Sequence, residues 1–154
     1  MIRLLDALTA ALFALACLAL GAMLLSYLIE VALRYFFDAP TRWSSDVVAY
    51  ALLFGVAFSL PTVTRDGGHV AITSVIERLS PDSQRTVKRL LGWLSAGVCL
   101  AASGLLASQA VAQWRDGIET VAAFAVPKWW LSASVALGLA LSALHFLQPQ
   151  RESR

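Results

Sequence analysis

The sequence predicts an all-α integral membrane protein: four transmembrane helices, with a short amphipathic helix between the second and third. Three observations carry this reading. Only 14% of the 154 residues are charged and 58% are apolar, with a mean hydropathy of +0.70; a soluble domain carries about 25% charged residues. Four stretches, residues 7–29, 47–64, 90–114 and 129–147, contain no Asp, Glu, Lys or Arg. Each is close to the roughly 20 apolar residues that cross a hydrocarbon core. Helix punctuation flanks the second and third of them. A soluble enzyme with its own aqueous core is thereby excluded. A disordered or nucleic-acid-binding chain is excluded too, since the net charge is only +2 and no basic block occurs.

The first span is expected over about 5–31. Arg3 ahead of an apolar run, and Ala14-Leu15-Ala16-Cys17 within it, raise the alternative of a cleaved signal. The run continues well past a 7–15-residue signal core, so a retained helix is the expectation. The second span, about 44–64, opens on Ser44-Ser45-Asp46, which offers cap oxygens and an acid for the first turn. Between spans two and three, Asp66-Gly67-Gly68-His69 reads as a turn. After it Ile72, Val75, Ile76 and Leu79 recur at i, i+3, i+4 and i+7, an amphipathic segment over about 69–79. It is too short to span; it either lies at the membrane interface or docks a partner. The third span, about 86–114, belongs to a helix starting near Pro81, because Ser80-Pro81-Asp82 combines a cap, a proline at the first position and an acid. The fourth covers about 128–147. All four form one membrane domain over 1–154.

Orientation follows from the basic residues. Arg3, Arg151, Arg154 and the stretch from Arg65 to Arg89 carry eight Lys or Arg, against four in the other two loops. Both termini are therefore expected in the cytoplasm. Tyr27, Tyr35, Trp43, Trp114, Trp129 and Trp130 then gather at the outer interface, as aromatic belts do.

Small residues fall in helical stripes: Ala10, Ala14, Cys17 and Gly21; Ala51, Gly55 and Ser59; Gly97, Ala101, Gly104, Ser108 and Ala112; Ser134, Gly138 and Ser142. Such faces let helices approach closely in lipid. Cys17 and Cys99 lie inside apolar stretches and read as fillers rather than thiolate ligands or a disulfide. No span holds a central ionisable residue, which a transporter working alone usually keeps. His145 sits near a helix end and is expected to be an interhelical hydrogen-bonder rather than a proton relay. No phosphate loop, zinc spacing or nucleophile motif occurs, so no enzyme activity, cofactor or metal is expected. Charges gather instead at Glu30, Arg34, Asp38, Arg42 and Asp46. Glu30 and Arg34 have the spacing of a helical ion pair. Arg34 and Asp46 either approach each other or a partner, or merely anchor helix ends.

Arg34-Tyr35 at the end of the first helix, Trp43-Ser44-Ser45-Asp46 opening the second, Gly55 within it, and Gly68-His69 before the amphipathic stretch resemble the small membrane subunit of tripartite ATP-independent periplasmic (TRAP) transporters. Gly117, Thr120, Pro127 and Trp129 resemble a second signature of that family. The likeness runs over about residues 5–148. Asp46 departs from the family's usual Glu, and Pro61 with Thr62-Val63-Thr64 departs from its ordinary helix end. The resemblance implies a sodium-driven importer of an organic acid in a bacterial inner membrane. Its partners are a large membrane subunit, which holds the substrate and sodium sites, and a periplasmic substrate-binding protein, besides membrane lipid. The residues of both signatures are then the candidate partner interface. The alternative from the residues alone is a self-contained, homo-oligomeric small transporter or channel with Glu30 as its coupling residue.

Overall fold

The computed structural model describes residues 2–66 and 81–147. His69 and the whole amphipathic stretch 69–79 lie outside the described residues. Four helices are seen: α1 (Ile2–Phe37), α2 (Ser44–Arg65), α3 (Pro81–Arg115) and α4 (Lys128–Phe146). Each is long and apolar enough to cross a membrane. α3 begins at Pro81, whose missing N–H and fixed φ suit a first helical position.

The helices lie in a row rather than a square, antiparallel within the α1–α2 and α3–α4 pairs and parallel between α2 and α4. α1 packs on α2, α2 on α4, and α4 on α3. The inner pair is short, 22 and 19 residues, or about 33 and 28 Å at 1.5 Å per residue. That matches a hydrocarbon core of about 30 Å. The outer pair, 36 and 35 residues, exceeds it and must tilt or project.

Packing is that of a protein in lipid. The largest fully buried side chains are Thr9 and Pro61, while Leu18, Leu25, Val98 and Leu105 point outward. Lipid tails already solvate leucine, so helices gain from close backbone approach instead. The stripes on α2 and α4 do face neighbours, for Ala51, Gly55, Ser134, Gly138 and Ser142 are buried. Those on α1 and α3 do not. Ala10, Ala14, Cys17, Gly97, Ala101, Gly104, Ser108 and Ala112 are all exposed, and nothing lies within 4 Å of a Cβ built on Gly21, Gly97 or Gly104. The seams there run one position earlier, through Thr9 and Ala16 on α1 and through Ala96, Ser103 and Ala110 on α3. One residue turns a helix by about 100°, enough to move a stripe from seam to outer face.

The tightest crossing is between α2 and α4. Pro61 has no N–H, so the carbonyl of Ala57, four residues earlier, lacks its helical donor. That carbonyl rests on Gly138: a Cβ there would sit 2.2 Å from Ala57 O. Across α3 and α4, Ser103 Oγ donates to Ala136 O at 2.8 Å, and Ser132 Oγ to Gln113 Oε1 at 2.8 Å. At the end carrying Asp66, buried Thr9 and His145 join α1 to α4, with Oγ1 and Nε2 2.8 Å apart. His145 is thus an interhelical hydrogen-bonder.

Candidate functional site

The opposite end gathers the α1–α2 turn, the α3–α4 loop and most of the tryptophans. α1 stops where Asp38 takes a left-handed conformation (φ 49°), which lets Ala39 N–H reach Leu33 O. The returning chain then meets Glu30. Its Oε2 accepts from the Thr41 N–H at 3.1 Å, from Ser44 Oγ at 2.8 Å and from the Thr41 hydroxyl. The expected Glu30–Arg34 pair is therefore not formed; three donors from the turn outcompete one exposed guanidinium four residues away. Ser44 is consumed in the same way, and no side chain caps α2.

Asp46 is turned outward from its own helix. Its Oδ2 accepts from Phe124 N–H at 3.2 Å. One turn later, the Tyr50 hydroxyl donates to Thr120 Oγ1 at 2.7 Å and lies 3.3 Å from Phe124 O. Thr120 closes the loop on itself: its Oγ1 accepts from Val126 N–H at 3.0 Å and donates to Val126 O at 3.2 Å. Backbone bonds from Thr120 N to Val126 O and from Lys128 N to Ile118 O, both 3.0 Å, complete a small hairpin. The start of α2 and the α3–α4 loop are thereby stapled together.

Gly117 serves this geometry. Ile118 N–H reaches Gln113 O at 3.1 Å, and Gly117 N–H lies 3.4 Å from Trp114 O. This is a Schellman cap, with Gly117 at φ 61° where a glycine costs least. Pro127, with φ −58° and ψ 121°, leads into α4. Trp129 meets Trp130 edge-on, with centroids 5.9 Å apart. Gly55 sits elsewhere, midway along α2, where a Cβ would press on Leu20 of α1 at 2.9 Å.

The structure therefore brings together Asp46, Gly117, Thr120, Pro127 and Trp129 around one loop. Arg34, Tyr35 and Trp43 lie on the same end but project outward. Arg34 forms no ion pair among the described residues, with Asp46 or with Glu30. Val121 and Phe124 at the hairpin tip are also exposed. The residue that sequence reasoning missed is Tyr50. Its signal was available: a phenol tip one helical turn after Asp46, in a span otherwise short of polar groups. Among the described residues no three His, Cys, Asp or Glu side chains cluster. The end offers hydrogen-bond staples, exposed aromatics and exposed cations that form no ion pair among the described residues, which are means of holding and docking.

Comparison with known proteins returned no match among curated proteins and none among solved structures. A family model did match: the DctQ component of tripartite ATP-independent periplasmic transporters, over residues 23–152. The match takes in both candidate signatures, the stapled loop and three of the four helices entire. The chain belongs to the DctQ family, a membrane component of TRAP transporters.

Proposed function

We propose that this chain is the small subunit of a sodium-coupled TRAP importer for an organic acid, and that it braces the large membrane subunit without a transport site of its own. The observation that carries the reading is the division of polar groups. Mid-span positions hold no Asp, Glu, Lys or Arg, and Glu30, the best candidate for a coupling residue, is occupied by donors of its own chain. Arg34 projects unpaired, beside exposed Tyr35 and Trp43, and these are residue types most favoured at interface hot spots. This end faces the periplasm, where a substrate-binding protein approaches. Both termini lie in the cytoplasm, following the positive-inside rule.

Laterally, the outward stripes on α1 and α3 suit close approach by helices of the large subunit. Co-expression with the large subunit and purification in mild detergent tests the assignment. The two chains should co-purify, and Gly104→Leu should lower recovery of the large subunit while this chain still inserts. Recovery of this chain as a homo-oligomer free of any second protein contradicts it. For sidedness, a cysteine at Asp116 should react with an impermeant reagent in intact cells; labelling only after lysis reverses the orientation.

A further inference from the structure

Between α3 and α4 runs an apolar groove of about 500 Å³ that opens sideways from the bundle. Its walls are mainly alanine, with Ala107 and Ala110 on α3 facing Ala133 and Ala136 on α4; Trp114 and Trp129 stand at one end. The one hydroxyl in the lining, Ser103, is already bonded to Ala136 O. The groove is dry by composition.

Its length is informative. On α3 it extends from Trp114 to Ser103 and on α4 from Trp129 to Ala140, twelve residues in each case, or about 17 Å. That is about half of a 30 Å hydrocarbon core. A helix of a partner protein crosses the whole core and has no reason to stop at mid-membrane. A lipid tail enters from one interface and ends there.

Charge at the mouth agrees. Arg115 follows Trp114 and Lys128 precedes Trp129, so each wall ends in a cation. Both are exposed, and neither forms an ion pair among the described residues. None of the charged residues lines the groove itself: Arg115 and Lys128 directly adjoin its end residues Trp114 and Trp129 in sequence, and Asp116 and Glu119 stand in the loop beyond. We propose that the α3–α4 groove holds one acyl chain of a phospholipid, with the lipid phosphate bound between Arg115 and Lys128 at its tryptophan-flanked mouth.

This site lies about a quarter turn round α3 from the outward stripe of Gly97 and Gly104. A helix docked on that stripe does not fill the groove, so the lipid site is compatible with a large subunit bound there. The test is native mass spectrometry of the full chain released from mild detergent, followed by lipid extraction. Wild-type protein should retain one phospholipid per chain. Ala133→Phe, which fills the groove, should lose it. Arg115→Gln with Lys128→Gln should lower retention about tenfold, while Val98→Phe, on an exposed face of α3 outside the lining, should leave it unchanged. Equal retention by Ala133→Phe and wild type overturns the proposal. If Ala133→Phe does not insert, wild-type protein reconstituted with a phospholipid photoactivatable in its acyl chain replaces it. Labels on Ala107, Ala110 or Ala136 support the site, and labels confined to other faces overturn it. A cross-link from a cysteine at Ala133 to a helix of the large subunit also overturns it, by showing a protein occupant.

Discussion

Replacing Gly138 by alanine attacks the α2–α4 crossing with a single methyl group. The added carbon would lie 2.2 Å from Ala57 O and 3.1 Å from its carbonyl carbon, where ordinary contact begins near 3.4 Å. The obstacle is backbone, not the tip of a flexible side chain. The two helices must part by about 1 Å. A gap of that size forfeits a quarter to a half of each dispersion contact along the seam, and overpacking of this kind costs about 1–3 kcal/mol. Alanine's better helix propensity returns about 0.5–1 kcal/mol. The net loss is about 1–2 kcal/mol, roughly 5–30-fold in the folded-to-unfolded ratio. Thermal unfolding of the purified chain in one detergent reads this directly. Gly55→Ala is the graded comparison, because its clash at 2.9 Å is with the Leu20 side chain, which can rotate away. Gly104→Ala, with nothing within 4 Å, should be neutral or slightly stabilising. The expected order of stability is Gly104→Ala, then Gly55→Ala, then Gly138→Ala. A Gly138→Ala protein as stable as wild type would refute the claim that Pro61 and Gly138 together set this crossing.

Thr9→Val should destabilise the chain by about 0.6 kcal/mol and at most about 1.7, the mean and maximum of interhelical hydrogen bonds measured in a membrane protein, since it removes the 2.8 Å partner of buried His145; the same unfolding assay checks it. Thr120→Val keeps the side-chain shape but deletes the bonds to Tyr50 and Val126. At about 0.5–1.5 kcal/mol per bond, amide exchange at Phe124 and Val126 should speed about tenfold or more, and unchanged exchange counts against the staple. Arg34→Ala and Asp46→Ala should each lower uptake by the assembled transporter while the chain still inserts. The two should differ in one respect: only Asp46→Ala, which loses the 3.2 Å bond to Phe124 N, should also loosen the α3–α4 loop. Uptake at the wild-type rate in both variants reduces the cluster to an anchor.

The four spans are legible because hydropathy reports each helix's solvent and needs no knowledge of its neighbours. The phase of the seams is another matter. On α1 and α3, alanine, serine and cysteine occur on several faces, so a stripe at Ala10 and Cys17 looks as good as one at Thr9 and Ala16. Only the neighbouring helix decides, and it chose the latter. On α4 small residues also occupy several faces, among them Ala133 and Ala140, yet the stripe of Ser134, Gly138 and Ser142 is buried throughout, because it holds the helix's only glycine, where Ala57 O approaches. Gly117, Thr120 and Pro127 were visible as a motif, but their meaning as a helix cap, a staple and a lead-in to α4 came from hydrogen bonds. Glu30 shows the limit of spacing arguments. The i,i+4 rule names Arg34, whereas the turn at 38–43 delivers Thr41 and Ser44, from eleven and fourteen residues away, to the same carboxylate.

The measurement closest to the central claim is sodium-driven uptake into proteoliposomes of defined composition. Three preparations are compared: this chain alone, the large membrane subunit with the binding protein, and all three together. An accessory brace, with no central ionisable residue in its spans and with Glu30 bound by its own turn, predicts uptake only when all three are present. Substrate or sodium flux through liposomes holding this chain alone would contradict it.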